Sequence, residues 1–341
     1  MKKVNWGIIG LGNVALKFAE AFKYSKNAKL IGIASNSKNK IEKFKKQFQI
    51  EEKYCFKNYL NLLECDDIDF IYIALPNSLH HEWIIKCIEK KKKILVEKPA
   101  TLNFAEIKDI KENYYNNKVF FVEAFMYSYH PQILKVIDLL KNNAIGKLIS
   151  MDTVFGKDVL TKKNFFGFKK RKKINKEDRK YNKNLGGGAI LDLGCYTVSF
   201  STMIASLISK VDYNKVELFN KKKEIGSTGV DMDSYTELKF ENNFKSKMGV
   251  SFIKDLGRKT KIIGSEGELI IENTWHAKPS KISTTGLENK EINVECNENI
   301  FSYEIEILSQ CILDNKERPD FPGLTIDETY GNMKIIDKWL N

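Results

Sequence analysis

Over the first third of the 341-residue chain, short apolar runs alternate with segments whose apolar residues recur at helical spacing. The runs VNWGIIG (4–10), LIGIAS (30–35), FIYIAL (70–75) and KILVEK (93–98) are rich in β-branched and aromatic residues and apolar on both faces, the pattern of strands buried inside a parallel sheet. Between them, 13–25, 38–48 and 78–91 place apolar residues on one helical face. Strands alternating with helices predict a doubly wound parallel sheet.

Past KVFFVEAFMY (118–127) the texture changes. A helix is expected at 131–142, and from about 148 long alternating strands are joined by tight turns. ENNF (241–244) and SEGE (265–268) have the composition of hairpin connections. Helical periodicity returns at 300–314 and 325–340. The predicted fold is therefore α/β: a parallel N-terminal domain over 1–122, then an α+β domain over 123–341 built on a large open, mainly antiparallel sheet. Its C-terminal helix is allowed to pack back on the first domain.

Composition changes this picture little. Hydrophobic residues make up 43% and charged residues 29%, ordinary for a globular chain. The formal charge of +12 (56 − 44) is spread widely, with runs at 90–93, 169–173 and 221–223, and reads as lysine-rich surface. No zinc knuckle or basic region with heptads accompanies it, so nucleic acid is not an expected partner. Six cysteines form no Cys-x-x-Cys pair and four histidines no metal-ligand spacing beyond the adjacent 80–81 pair, so no metal is expected. Reduced thiols, the lack of a signal-peptide pattern and no apolar stretch of membrane-spanning length make a cytoplasmic protein without a membrane partner the expectation. Phe165, Phe166, Tyr181 and Trp275 are expected in ordinary cores.

The first strand runs directly into Gly10-Leu11-Gly12-Asn13-Val14-Ala15, a G-x-G-x-x-A pattern opening a helix. The first glycine permits a tight turn, the second lets backbone approach a pyrophosphate, and the helix N-terminus offers free N–H groups and a positive dipole end. This predicts a dinucleotide-binding Rossmann domain. At the end of the second strand, Ser35, Asn36 and Lys38 stand where NAD-preferring sites place a carboxylate for the ribose 2′-hydroxyl. A 2′-phosphate is tolerated there, so NADP is preferred over NAD. The third strand ends in Leu75-Pro76-Asn77, a turn placed to border the nicotinamide half. His80, just beyond, is either a ligand contact or a partly exposed helix residue.

In order and spacing, these motifs with EKPA (97–100), EAFMYSYHPQ (123–132) and GGGAILDLGCY (186–196) resemble the Gfo/Idh/MocA oxidoreductases, in the branch of glucose-fructose oxidoreductase, xylose 1-dehydrogenase and dimeric dihydrodiol dehydrogenase. The resemblance covers nearly the whole chain. It implies a catalytic lysine at Lys98, an aspartate at Asp192 and the acid/base residue at Tyr196, where the inositol dehydrogenase branch has histidine. Glu97 is expected either to orient the strand-end loop or to contact the nicotinamide ribose, and Met126 to border the nicotinamide; the resemblance implies further that the open sheet makes a homodimer or homotetramer. One departure stands out: the link before the triple glycine is lysine-rich and lacks the proline usual in that branch.

The chemistry can be rebuilt from the residues. Asp192 and Tyr196 are four apart on a segment expected to be helical, so they share a face. Oxidising an alcohol requires a base for the hydroxyl proton while hydride leaves carbon for the nicotinamide. Tyrosine, with a reference pKa of about 10, is poorly matched until a cation intervenes. A lysine about 4 Å away at an effective dielectric of about 20 favours the tyrosinate by up to about 4 kcal/mol, enough to bring it near neutral pH before burial offsets part of the gain. The expected function is hydride transfer between a nicotinamide and a sugar, cyclic polyol or dihydrodiol. A sugar-nucleotide dehydrogenase and a nicotinamide-binding regulator without turnover stay open beside it.

Overall fold

The apolar runs of the first third form one six-stranded parallel sheet in a computed structural model that describes residues 2–163, 169–286 and 289–341. In chain order the strands of this sheet are β1 (Val4–Ile9), β2 (Ala28–Ala34), β3 (Cys55–Phe56), β4 (Phe70–Ile73), β5 (Lys93–Glu97) and β6 (Phe121–Ala124), with spatial order β3-β2-β1-β4-β5-β6. The second half contributes β7 (Leu148–Gly156), β8 (Thr161–Lys163), β9 (Lys169–Arg171), β10 (Glu217–Ile225), β11 (Asp231–Lys239), β12 (Lys245–Ser251), β13 (Thr260–Gly264), β14 (Gly267–Ile271), β15 (Lys281–Gly286) and β16 (Lys290–Asn293). The helices are α1 (Asn13–Ala21), α2 (Lys38–Phe48), α3 (Tyr59–Leu63), α4 (His80–Glu89), α5 (Phe104–Asn117), α6 (Pro131–Lys141), α7 (Cys195–Ser206), α8 (Phe301–Leu313) and α9 (Ile326–Leu340). Phe165 and Phe166 lie outside the described residues.

Two units result: Met1–His130 with Asn297–Tyr330, and Pro131–Cys296 with Gly331–Asn341. The break at 130/131 lies beyond the 122/123 boundary expected from sequence, and the segment that returns to the first unit is 297–330 with α8, while most of the C-terminal helix α9 belongs to the second. The reason is burial. α8 is apolar on one face, and it spends that face on the first sheet's core, where Phe301, Ile305, Leu308 and Cys311 join Trp6, Phe18 and Tyr72. Trp6 stacks on Phe70 with ring centroids 4.0 Å apart, and its indole N–H donates to Ser309 Oγ of α8 at 2.9 Å.

In the second unit an eight-stranded sheet runs β10-β11-β12-β7-β13-β14-β15-β16. All neighbours are antiparallel except β12 and β7, which pair in parallel. One face carries the buried set, including Met151, Met248, Leu238, Ile262 and Leu269. The other carries a row of alternating charge in register, Glu237, Lys247, Asp152 and Lys261, across four strands, an arrangement that favours cross-strand pairing over self-repulsion. Buried on its inner side is α7, every residue of which from Cys195 to Ala205 is buried. The helical run Lys183–Ser206 that ends in α7 is long and apolar enough to cross a membrane by composition, contrary to the expectation from sequence, yet 94% of its most apolar window is buried within the protein. It is a core helix. Tyr181 and Trp275 are buried, as expected.

Trp6→Ala removes a fully buried stack and leaves the Ser309 hydroxyl without its donor. It should cost about 3–5 kcal/mol, read as an earlier unfolding transition in denaturant.

Candidate functional site

Gly10 closes the first strand with φ +90°, and a Cβ there would sit 2.6 Å from the Ala74 carbonyl oxygen, so only glycine lets β1 and β4 end side by side. Gly12, at the N-cap of α1, is the opposite case: nothing lies within 4 Å of where its Cβ would be. That clearance is the cradle a pyrophosphate needs. The first turn of α1 has no acidic residue and no side-chain cap, which leaves its N–H groups and dipole for an anion. Leu11 is buried, Val14 half-buried, and Asn13 exposed.

At the end of β2, Ser35 is buried and its hydroxyl accepts from the Ser37 N–H at 3.2 Å, while Asn36 and Lys38 are exposed. No carboxylate occupies 35–38. In the turn after β4, Leu75 and Asn77 are buried and Pro76 exposed, and the Asn77 amide nitrogen is buried without a hydrogen-bond partner among the described residues. A buried orphan donor at a carboxyl strand end fits a polar ligand group. These residues suit a dinucleotide.

The end of β5 is more elaborate. Tyr72 donates its hydroxyl to Glu97 Oε1, and the other Glu97 oxygen accepts the Lys98 N–H at 3.2 Å. Lys98 is half-buried and the Lys98–Pro99 peptide is cis. The next N–H, of Ala100, donates to Glu123 Oε1 of β6 at 2.9 Å. Burial pushes Glu123 up to about 7, against the Ala100 N–H and the Lys98 ammonium, which hold it down. His80 is fully buried in the first turn of α4, so the exposed alternative is excluded; its ring nitrogens lie 2.9 Å from the Pro99 carbonyl and 3.0 Å from the Leu75 carbonyl. Met126 packs on the same core.

In the second unit the glycine loop leads into a helix whose first part differs from the simple α-helix expected. Ile190–Gly194 form a π turn, in which the Cys195 N–H reaches back to the Ile190 carbonyl, before α7 begins. Gly194 sits where a Cβ would be 2.9 Å from the Trp339 ring of α9, so the widened turn and the absent side chain accommodate that indole. Such bulges recur at functional sites because they re-aim side chains. Asp192 lies on the π turn and Tyr196 one residue into α7, both buried.

Arg179, from the basic segment, places a guanidinium nitrogen 3.5 Å from Asp192 Oδ1. Asp231 of β11 accepts the Ile190 N–H at 2.7 Å, and Gly188, at φ +117°, gives it room, since a Cβ there would meet Asp231 Oδ1 at 2.3 Å. Burial pushes the Asp231 carboxyl up while the N–H groups of Ile190 and Ala189 draw it down. The Tyr196 ring lies edge-on to Phe155 (5.3 Å) and Trp275 (5.7 Å), and the Trp275 N–H is tied to the Val154 carbonyl at 2.9 Å. Lys98 belongs to the first unit; Asp192 and Tyr196 ride together in the second. A groove of about 920 Å³ in the second unit, with Lys215, Lys239 and Lys338 on its walls, includes none of these residues.

Two family models match the chain: an oxidoreductase family with NAD-binding Rossmann fold over residues 4–125, and a GFO/IDH/MocA C-terminal domain over 133–270. The chain belongs to the GFO/IDH/MocA oxidoreductase family. It is 28% identical over 326 residues to trans-1,2-dihydrobenzene-1,2-diol dehydrogenase of Xenopus tropicalis, covering 92% of this chain and 91% of that one. Its fold is that of a 3-ketoreductase from Actinomadura kijaniata solved with TDP-benzene and NADP (TM-score 0.80, 21% identity, 98% and 96% covered). It is equally that of an aldose-aldose oxidoreductase from Caulobacter crescentus solved with glycerol (TM-score 0.84, 17% identity, 99% and 96% covered).

Membership makes the chain an NAD-binding oxidoreductase acting on CH–OH groups. Four residues around the family motifs escaped the sequence reading: Arg179, Asp231, Glu123 and Glu304. The two glutamates left a signal, because each interrupts an apolar pattern, FFVEAF and the inner face of α8. Arg179 and Asp231 left none.

Glu304 is fully buried, and neither carboxyl oxygen has a hydrogen-bond partner among the described residues. Burial, and then the Glu97 charge, push it well above the usual carboxylate range. A folded-state value raised above the unfolded one gives stability that is complete below about 4.5 and is lost as pH rises toward the folded value. Glu304→Gln should match the wild type in acid and overtake it by about 1.4 kcal/mol per pH unit above that point, measured by denaturant midpoints across pH.

Proposed function

We propose that this protein is an NADP-preferring oxidoreductase of a small polyhydroxylated substrate, a sugar, cyclic polyol or dihydrodiol, with Tyr196 as acid/base. What carries the reading is the setting of Tyr196: a phenol on a buried helix whose start is held by Asp231, with Asp192 four residues before it and paired to Arg179.

When bound, the nicotinamide supplies a hydride acceptor or donor. The glycine turn and the N-terminus of α1 hold the pyrophosphate, Ser35, Asn36 and Lys38 receive the 2′-phosphate, and Asn77 donates to the nicotinamide half. Tyr196 takes the substrate hydroxyl proton in oxidation and returns it in reduction. Lys98 stabilises the phenolate through its positive charge, and Asp192, paired with Arg179, fixes the orientation of a substrate hydroxyl. The aromatic walls Phe155 and Trp275 keep the phenol in one direction and exclude water from one side. The charged row on the outer sheet face suits contact with a second copy of the chain.

The dihydrodiol dehydrogenase and the aldose-aldose oxidoreductase among its relatives support a small neutral substrate. A sugar nucleotide is the second reading, favoured by the exposed Lys170, Lys172, Lys173 and Lys176 and by the TDP ligand of the 3-ketoreductase. Assays with both cofactors across aldoses, polyols, dihydrodiols and a nucleoside-diphosphate sugar separate the two.

Tyr196→Phe and Lys98→Met should each lower kcat by orders of magnitude while NADPH still raises the melting temperature; an active Tyr196→Phe enzyme would refute the proton-transfer role. Ser35→Asp should move cofactor preference toward NADH, read as the ratio of the two Kd values.

A further inference from the structure

Both ring nitrogens of His80 face carbonyl oxygens, Nδ1 that of Pro99 at 2.9 Å and Nε2 that of Leu75 at 3.0 Å. A carbonyl oxygen only accepts. A neutral imidazole has one N–H and one lone pair, so in either tautomer it would press a lone pair against an acceptor in a fully buried site. Only the imidazolium donates in both directions.

The Pro99 carbonyl belongs to the same peptide group as the Ala100 N–H, and that N–H donates to the buried carboxylate of Glu123 at 2.9 Å. One peptide is thus gripped at its oxygen by a ring N–H and at its nitrogen by a carboxylate oxygen. Cation at the oxygen end and anion at the hydrogen end both align with the peptide dipole, and charge-assisted bonds of this kind are the strong ones. We propose that His80 is a doubly protonated positioning residue, coupled through the Pro99–Ala100 peptide to Glu123, whose ionised form its charge favours against burial, and that the pair fixes the turn carrying Lys98.

The surroundings fit this charge state. The turn itself brings Glu97 and Lys98, β4 brings Tyr72, whose hydroxyl is committed to Glu97, and α5 brings Asp109, which engages the neighbouring His81 at 2.7 Å. Lys98 disfavours a second cation, whereas the carboxylates of Glu97 and Glu123 favour one. His80 also joins the Leu75 turn to the Pro99 turn, so the two segments assigned to the nicotinamide half move as one body. The protonation state stands on geometry alone; only its consequence for Lys98 rests on the proposed function.

The test is long-range ¹H–¹⁵N correlation of the histidine rings in the full-length protein near neutral pH, where four histidines give a readable spectrum and His80→Gln assigns the signal. Both His80 nitrogens should appear at protonated shifts; one at the shift of an unprotonated ring nitrogen would overturn the assignment. Glu123→Gln keeps an acceptor for Ala100 but removes the anion, and should lower the pH at which His80 loses its second proton by about one unit, a tenfold change in proton affinity. An unchanged midpoint would overturn the pairing. Neither measurement reads turnover, so a protein without the proposed activity would leave both results intact. In the active enzyme Glu123→Gln should lower kcat several-fold with KM nearly unchanged, and an unaltered kcat would overturn the link to Lys98.

Discussion

Backbone groups at the ends of buried strands and at helix starts have run out of partners within their own element, and each one left unpaired in the interior costs on the order of 1–3 kcal/mol. In this protein the side chains that meet them are chemistry-bearing. Glu123 takes the Ala100 N–H, Glu97 the Lys98 N–H, Asp231 the Ile190 N–H, and His80 the carbonyls of Leu75 and Pro99. Completing the backbone's hydrogen bonding and fixing the candidate site are therefore one set of interactions. A polar residue that closes a strand end or a helix start also fixes the backbone beside it, at Lys98 in the first unit and at the turn carrying Asp192 in the second.

Burying those charged and titratable groups moves their properties in a consistent direction. Glu123, Asp231 and Glu304 are all pushed upward by burial, and the extent to which each is drawn back depends on how many N–H donors or cations it meets. Glu123 and Asp231 have such donors, whereas Glu304 has a second carboxylate for company. The same logic lets the apolar α7 carry hydroxyl residues while buried all round from Cys195 to Ala205. Thr197, Ser199, Ser201 and Thr202 return their hydroxyls to carbonyls one turn back, and Ser201 also meets Ser246 of the sheet at 2.7 Å.

Much of the first unit was legible because its signals are local. Alternation of apolar runs with amphipathic helices named the parallel sheet, and the glycines at 10 and 12 marked a turn whose two needs, a left-handed φ and an open cradle, are both met. The hairpins at 241–244 and 265–268 were legible for the same reason. The parallel pairing of β12 with β7 was not, since it joins strands almost a hundred residues apart, and neither was the return of 297–330 to the first unit, because an apolar helix face does not say which sheet it covers. The π turn at 190–194 escaped because the ring packed against it, Trp339 at Gly194, lies at the far end of the chain.

By itself the sequence determined the periodicities, hence the elements, and the short motifs, hence the dinucleotide turn and the residue types available for acid/base work: Lys98, Asp192 and Tyr196. These depend on neighbours within about one turn or one strand, where covalent connectivity already restricts what is near. Only the tertiary structure decided which buried polar group answers which: Arg179 with Asp192, Asp231 with Ile190, Glu123 and His80 on either side of one peptide. Such pairs are set by packing between elements distant in sequence, and a buried charge takes its meaning from the partner that packing supplies.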